Sequence, residues 1–175
     1  MRLPALLLAA AIALAGCGLL MAPDGVPGAG FNGGGSCSEM PGGACQEQMD
    51  AAAARHPDAT QLDLACKAPV CNRAGGAGTV VVTLRNGARV TEAFAYTGDA
   101  GPIPLPACTG MPADVCRRVS ASTVDALPPS KRIRSITIAC TTLPCTRERG
   151  ETQVDVQFAD GTAFTTNSGW EGGLP

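Results

Sequence analysis

The sequence predicts an α+β protein made of two tandem, disulfide-stapled repeats, each one helix plus a three-stranded antiparallel sheet. Three observations predict it. Eight cysteines run C-x7-C, 20 residues, C-x4-C, then 36 residues, then C-x7-C, 23 residues, C-x4-C. Residues other than cysteine keep the same register: Met40-Pro41 matches Met111-Pro112, Arg73 matches Arg147, Val80 and Val82 match Val154 and Val156, and Tyr96 matches Trp170. Each copy also ends in two alternating runs about Asn86-Gly87 or Asp160-Gly161, the strongest short hairpin signal.

The elements follow in chain order. Pro41 and Pro112 suit the first turn of a helix, where a missing N–H costs nothing. Cys45, Met49 and Ala52 then fall at i, i+4 and i+7, a stripe that a helix would bury, and Val115, Val119 and Ser122 form a weaker version. Leu62 and Leu64, or Ile136 and Ile138, alternate with polar residues as in a strand. The segments TVVVTLRNGARVTEAFAY and QVDVQFADGTAFTTNSGW supply two more strands each, around a two-residue turn. Repeat 1 is expected over 37–98, a Pro-rich connector over 99–107, and repeat 2 over 108–175. The connector is short enough that the repeats should touch.

A repeat this small buries little apolar surface, and only six residues of the chain are aromatic. Disulfides would supply what the core lacks. Within a repeat the sequence leaves the pairing open. The sequential scheme joins Cys37 to Cys45 and Cys66 to Cys71, with Cys108 to Cys116 and Cys140 to Cys145 in the second copy. The nested rival joins Cys45 to Cys66 and Cys37 to Cys71, since Cys45 shares the helix's apolar stripe and Cys66 the strand parity of Leu62 and Leu64. Closing loops of roughly six to nine residues contributes about 2–3 kcal/mol each on the chain-entropy model.

The N-terminus bears on the compartment. MRLPALLLAAAIALAGC carries Arg2, an apolar run from Ala5 to Leu14, and then small residues. The run is too short for a spanning helix, which needs about 20 residues, and has the layout of a secretory signal peptide over 1–16. Leu14-Ala15-Gly16-Cys17 resembles the lipobox of bacterial lipoproteins. The resemblance implies cleavage before Cys17, diacylglycerol on its thiol, and a further acyl chain such as palmitate on the new amino group. Two or more chains hold a protein stably to a bilayer. Setting Cys17 aside leaves an even eight cysteines, as a disulfide framework in an exported chain requires. Residues 17–36, rich in Gly, read as a flexible tether. Beyond the lipobox the chain is similar only to uncharacterised cysteine-rich secreted modules of high-GC bacteria, a likeness that implies no activity.

Other chemistry is sparse. Redox catalysis usually uses C-x2-C with a lowered thiolate pKa, and C-x4-C containing proline departs from that. Zinc would need free thiolates or histidines, so no metal and no cofactor are expected. His56, the single histidine, lies before Pro57 and reads as a solvated helix end. Asp155 and Asp160 could serve a carboxylate-dependent hydrolase, but they align with Val81 and Asn86, so a strand face and a turn residue are the plainer roles. The 13 basic residues include Arg2, leaving 12 against 15 acidic ones in the mature chain, so no attraction to nucleic acid is implied. Lys131, Arg132 and Arg134 read as a solvated strand start. The expected protein is a non-enzymatic binding, inhibitor or envelope-associated module. It would be held by Cys17 to the extracytoplasmic side of a cell membrane or outer membrane, with a protein or envelope component as partner. The alternative is a cell-envelope hydrolase. Tyr96 and Trp170 are expected in equivalent, buried sites, with an exposed, partner-binding Trp170 as the rival reading.

Overall fold

The computed structural model describes residues 31, 33–67, 71–99, 101–142 and 144–173. The signal peptide, Cys17 and most of the tether lie outside the described residues. Repeat 1 comprises β1 (Gly34–Ser38), α1 (Gly42–Arg55), β2 (Ala59–Cys66), β3 (Gly75–Leu84) and β4 (Arg89–Thr97). Repeat 2 follows with β5 (Ala107–Thr109), α2 (Ala113–Ala126), β6 (Ile133–Cys140), β7 (Arg149–Phe158) and β8 (Ala163–Glu171). Each repeat forms its own four-stranded sheet, ordered β1-β2-β3-β4 and β5-β6-β7-β8.

The sheets therefore correct the expected three-stranded antiparallel arrangement. The strand around the first cysteine of each copy adds a parallel edge, Cys37 opposite Leu64 and Cys108 opposite Ile138. GGSCS has neither alternation nor β-branched residues, so nothing in its side chains announces a strand. Topology supplies it: a helix between two strands lets the chain return parallel. The prolines also sit one residue earlier than expected, just before the first helical turn. Pro41 and Pro112 are the N-caps, with extended ψ of 143° and 151°, and their carbonyls accept from Cys45 N and Cys116 N.

All four disulfides follow the sequential scheme: Cys37–Cys45 and Cys108–Cys116 tie the first strand to the helix, while Cys66–Cys71 and Cys140–Cys145 clip the loop before the hairpin. No bridge among them joins the repeats. The hairpin loops are three residues long rather than two. Leu84 N donates to Ala88 O and Phe158 N to Thr162 O, leaving Gly87 and Gly161 at φ of +81° and +84°. This is a type I turn closed by a left-handed residue, a role that glycine fills without a Cβ clash.

Each helix covers one sheet face. In repeat 2, Val115 and Val119 meet Ile136, Ile138, Val154, Val156 and Phe158. Burying an aliphatic side chain of this size stabilises by about 1.5–3 kcal/mol. The buried set of α2 is Val115, Cys116, Val119, Ser120 and Thr123, so the face is rotated from the expected one and Ser122 is exposed. In α1 the buried alanines are Ala44 and Ala52, with Met49 half-buried against the same core. Repeat 1 replaces lost helix volume from the sheet: Phe94 is buried over Gly78, where an added Cβ would lie 2.7 Å from its ring. The matched pair in repeat 2 is Ser168 and Thr152.

Candidate functional site

The repeats meet through α1 and the α2–β6 loop. The spacing difference between the copies, 20 residues against 23, falls in that loop. Three residues separate Arg55 from Ala59, whereas six separate Ala126 from Ile133. The longer loop docks on repeat 1 through its backbone. Arg73 donates to Leu127 O at 3.0 Å, Val124 O at 3.4 Å and Lys131 O at 2.6 Å, and Asp99 N donates to Pro129 O at 2.7 Å. Arg73 thus satisfies carbonyls at the end of α2, the end that attracts cations. Burial lowers its pKa, while Glu47 and Asp99 push the other way.

The matched arginine behaves differently. Arg147 stays within its own repeat, with Nε 2.6 Å from Asp114 Oδ2, and this contact lowers the Asp114 pKa. Gly43 stands where repeat 2 has Asp114. It is buried, and a Cβ there would lie 2.0 Å from Leu127 O. The matched face is therefore open for docking in repeat 1 and occupied by an ion pair in repeat 2.

Alongside this junction runs a groove of about 590 Å³, walled by Ile103, Pro106, Val124, Pro41, Arg117 and Asp125 among others. Its rim is the connector, Gly101 to Ala107, with proline at 102, 104 and 106. Proline fixes its own φ, and the residue before each proline is held to extended conformations, so Ile103 and Leu105 are presented on a stiff strap. Leu105 is 95% exposed and Ile103 52%. The sequence marks a connector here without singling out these two side chains; the alternation of Pro with large apolar residues is the signal it carries.

The other candidate residues are placed apart. Asp155 lies on the open face of β7, accepting from Gln153 Nε2 at 3.0 Å and Thr165 Oγ1 at 2.6 Å. Asp160 sits in the hairpin turn, where Thr162 holds its carboxyl below the usual range, the opposite of what a general acid needs. His56 corrects its expected solvated role. It is half-buried, and Nε2 lies 2.7 Å from Glu92 Oε1 on β4, while Arg55 reaches the other oxygen at 3.2 Å. Lys131 is likewise engaged, 3.3 Å from Asp160 and 5.1 Å above the Phe158 ring.

The hydrogen bond from His56, and then that from Arg55, lowers the Glu92 pKa. A depressed carboxylate stabilises the fold above the ordinary glutamate value, about 4.3, and that contribution fades as pH falls through the folded value. Thermal unfolding of wild type and Glu92→Gln should differ at about pH 5 and converge in strong acid. A gap that persists unchanged into strong acid would show that the carboxylate charge is not its source.

Tyr96 and Trp170 occupy equivalent sites. Tyr96 OH donates to Asn72 O at 2.9 Å and Trp170 Nε1 to Thr146 O at 3.0 Å, each acceptor being the residue after a clip's second cysteine. Both rings are half-buried, and Trp170 lies over Gly150, beside Cys145. It also lines a shallow hollow with Arg149, Glu151 and Glu171.

Among the described residues no three His, Cys, Asp or Glu side chains converge as a metal site, and no helix is long and apolar enough to cross a membrane. No protein-family model matches the sequence, and no curated protein matches it significantly.

Proposed function

We propose that the protein is a bacterial lipoprotein, anchored through lipid on Cys17 to the extracytoplasmic side of its membrane, whose paired repeats act as a non-enzymatic binding module. The observation that carries the binding role is the connector. A proline-braced strap offers Leu105 and Ile103 to solvent beside an apolar groove, and large exposed apolar side chains on a rigid support bind with little ordering cost. The partner is a protein with an aromatic-lined groove able to receive a proline-flanked extended segment. Four disulfides agree with an oxidising compartment.

The test is photo-crosslinking in intact bacteria, with the reactive side chain at the exposed position 107, beside the strap. A discrete adduct that is lost on Leu105→Asp, with all disulfides retained, supports the reading. An adduct that survives both Leu105→Asp and Ile103→Asp overturns it. In the same cells Cys17→Ser should abolish fatty-acid labelling and empty the membrane fraction of processed protein; labelling that survives removes the anchor. Turnover of an envelope polymer by the purified mature domain, lost on Asp155→Asn or Asp160→Asn, would favour the hydrolase instead.

A further inference from the structure

The four sheet edges are not equally protected. Natural sheets blunt their edges with charge, proline, short strands or a covering element. β5 is three residues long and follows Pro106, and β1 is five residues long. β4 is clamped by Arg55 and His56 on Glu92. The matched residues of repeat 2 are Ala126, Leu127 and Thr166, so that clamp is missing at β8. β8 runs nine residues, AFTTNSGWE, without proline, and its single charge is Glu171. Glu171 lies opposite Arg149 of the neighbouring strand.

The free edge of β8 also has a defined hydrogen-bonding phase. Phe158 N donates to Thr162 O at 2.9 Å, so Phe158 and Thr162 form a hydrogen-bonded pair. Alternation along the ladder then turns the N–H and C=O of Phe164, Thr166, Ser168 and Trp170 toward β7. Those of Ala163, Thr165, Asn167, Gly169 and Glu171 point outward. These five residues are symmetric about Asn167. Two copies of the strand laid antiparallel would pair 163 with 171, 165 with 169, and 167 with itself, making about ten backbone hydrogen bonds in five narrow pairs. In that register Phe164 of one copy faces Trp170 of the other, an aromatic cross-strand pair of the kind that stabilises sheets. Thr166 faces Ser168, and no like charges meet.

We propose that two copies of this chain associate through β8, two-fold about Asn167, to form one continuous eight-stranded sheet. The occupant of the edge is a second copy because the strand is complementary to itself, in hydrogen-bond phase, aromatic pairing and charge at once. The seam is small beside a standard protein interface of about 1,600 Å², so association is weak in solution and gains from any confinement that raises local concentration.

Sedimentation equilibrium of the mature domain across the micromolar to submillimolar range tests this. Wild type should show a monomer–dimer equilibrium. Asn167→Lys sets identical charges opposite each other at the two-fold and should weaken the dimer by about fivefold or more, with part of the loss recovered in high salt. Mixing Asn167→Lys with Asn167→Glu should restore association as a heterodimer. Ala93→Lys, at the matched position on the guarded β4 edge, should leave the dimer unchanged, and thiol alkylation would confirm that each variant keeps its disulfides. A wild type that remains monomeric throughout, or a dimer indifferent to Asn167→Lys, overturns the proposal. So would a mixture of the two charge variants that fails to associate where wild type does. Association with a foreign strand but never with itself would assign the edge to a different partner, and sinks it equally.

Discussion

Complete reduction of the disulfides is expected to unfold both repeats at ambient temperature. The bridges span sequence separations of 8, 5, 8 and 5. On the chain-entropy model their loops contribute about 2–3 kcal/mol each, or about 10 kcal/mol together as an upper bound. A whole domain is stable by about 5–15 kcal/mol. Few other sources of stability are in reserve, because α1 brings only Ala44 and Ala52 as fully buried apolar side chains and the second face of each sheet is open. Far-UV circular dichroism with a thiol reductant should lose its strand and helix signature as the last bridge opens. Two double variants grade the effect: Cys66→Ala with Cys71→Ala, and Cys140→Ala with Cys145→Ala, should each cost about 2–3 kcal/mol. A native spectrum after full reduction, verified by alkylation of eight thiols, would mean that the cores alone hold the fold.

The elements legible in the sequence were those whose side chains must alternate. Leu62, Leu64, Val80 and Val82, with Ile136, Ile138, Val154 and Val156, are all buried on one face, because a half-covered sheet cannot hide its period of two. The edge strands β1 and β5 carried no such pattern, since backbone pairing and a cysteine suffice to hold them. Ser122 failed as a stripe position because α2 is oriented by Cys116 as well as by its valines, and a tether to the neighbouring strand is not a periodic signal. His56 was misjudged for a different reason. Its partner Glu92 lies 36 residues away, and a helix-end histidine reads as solvated until the strand that receives it is in place. The docking of the repeats was half visible. The extra three residues between Cys116 and Cys140 could be counted, but their use as a row of carbonyls facing Arg73 depends on contacts across more than fifty positions.

The difference between Gly43 and Asp114 gives the second large expected effect. Introducing Gly43→Asp would give repeat 1 the residue that repeat 2 already has. The new Cβ would fall 2.0 Å from Leu127 O and 2.9 Å from Ala126 O, and backbone cannot yield as a side-chain tip can. A carboxylate there would also face carbonyl oxygens, which offer it no donor. The way out is for the repeats to part and for Arg73 to turn onto the introduced carboxylate, as Arg147 turns onto Asp114 in a contact of 2.6 Å. The bonds from Arg73 to Leu127 O and Lys131 O and from Asp99 N to Pro129 O would be lost together. The cost should be about 1–3 kcal/mol in unfolding free energy. It should come with faster hydrogen exchange at the Asp99 amide and a larger radius of gyration, each repeat keeping its own disulfides and sheet. Asp114→Gly, the reciprocal change, removes an ion pair whose Arg147 partner is largely exposed and should shift stability far less than Gly43→Asp does. If Gly43→Asp unfolds like wild type and protects the Asp99 amide as well, then the close approach of α1 to the end of α2 does not join the repeats, and the three inserted residues serve some other end.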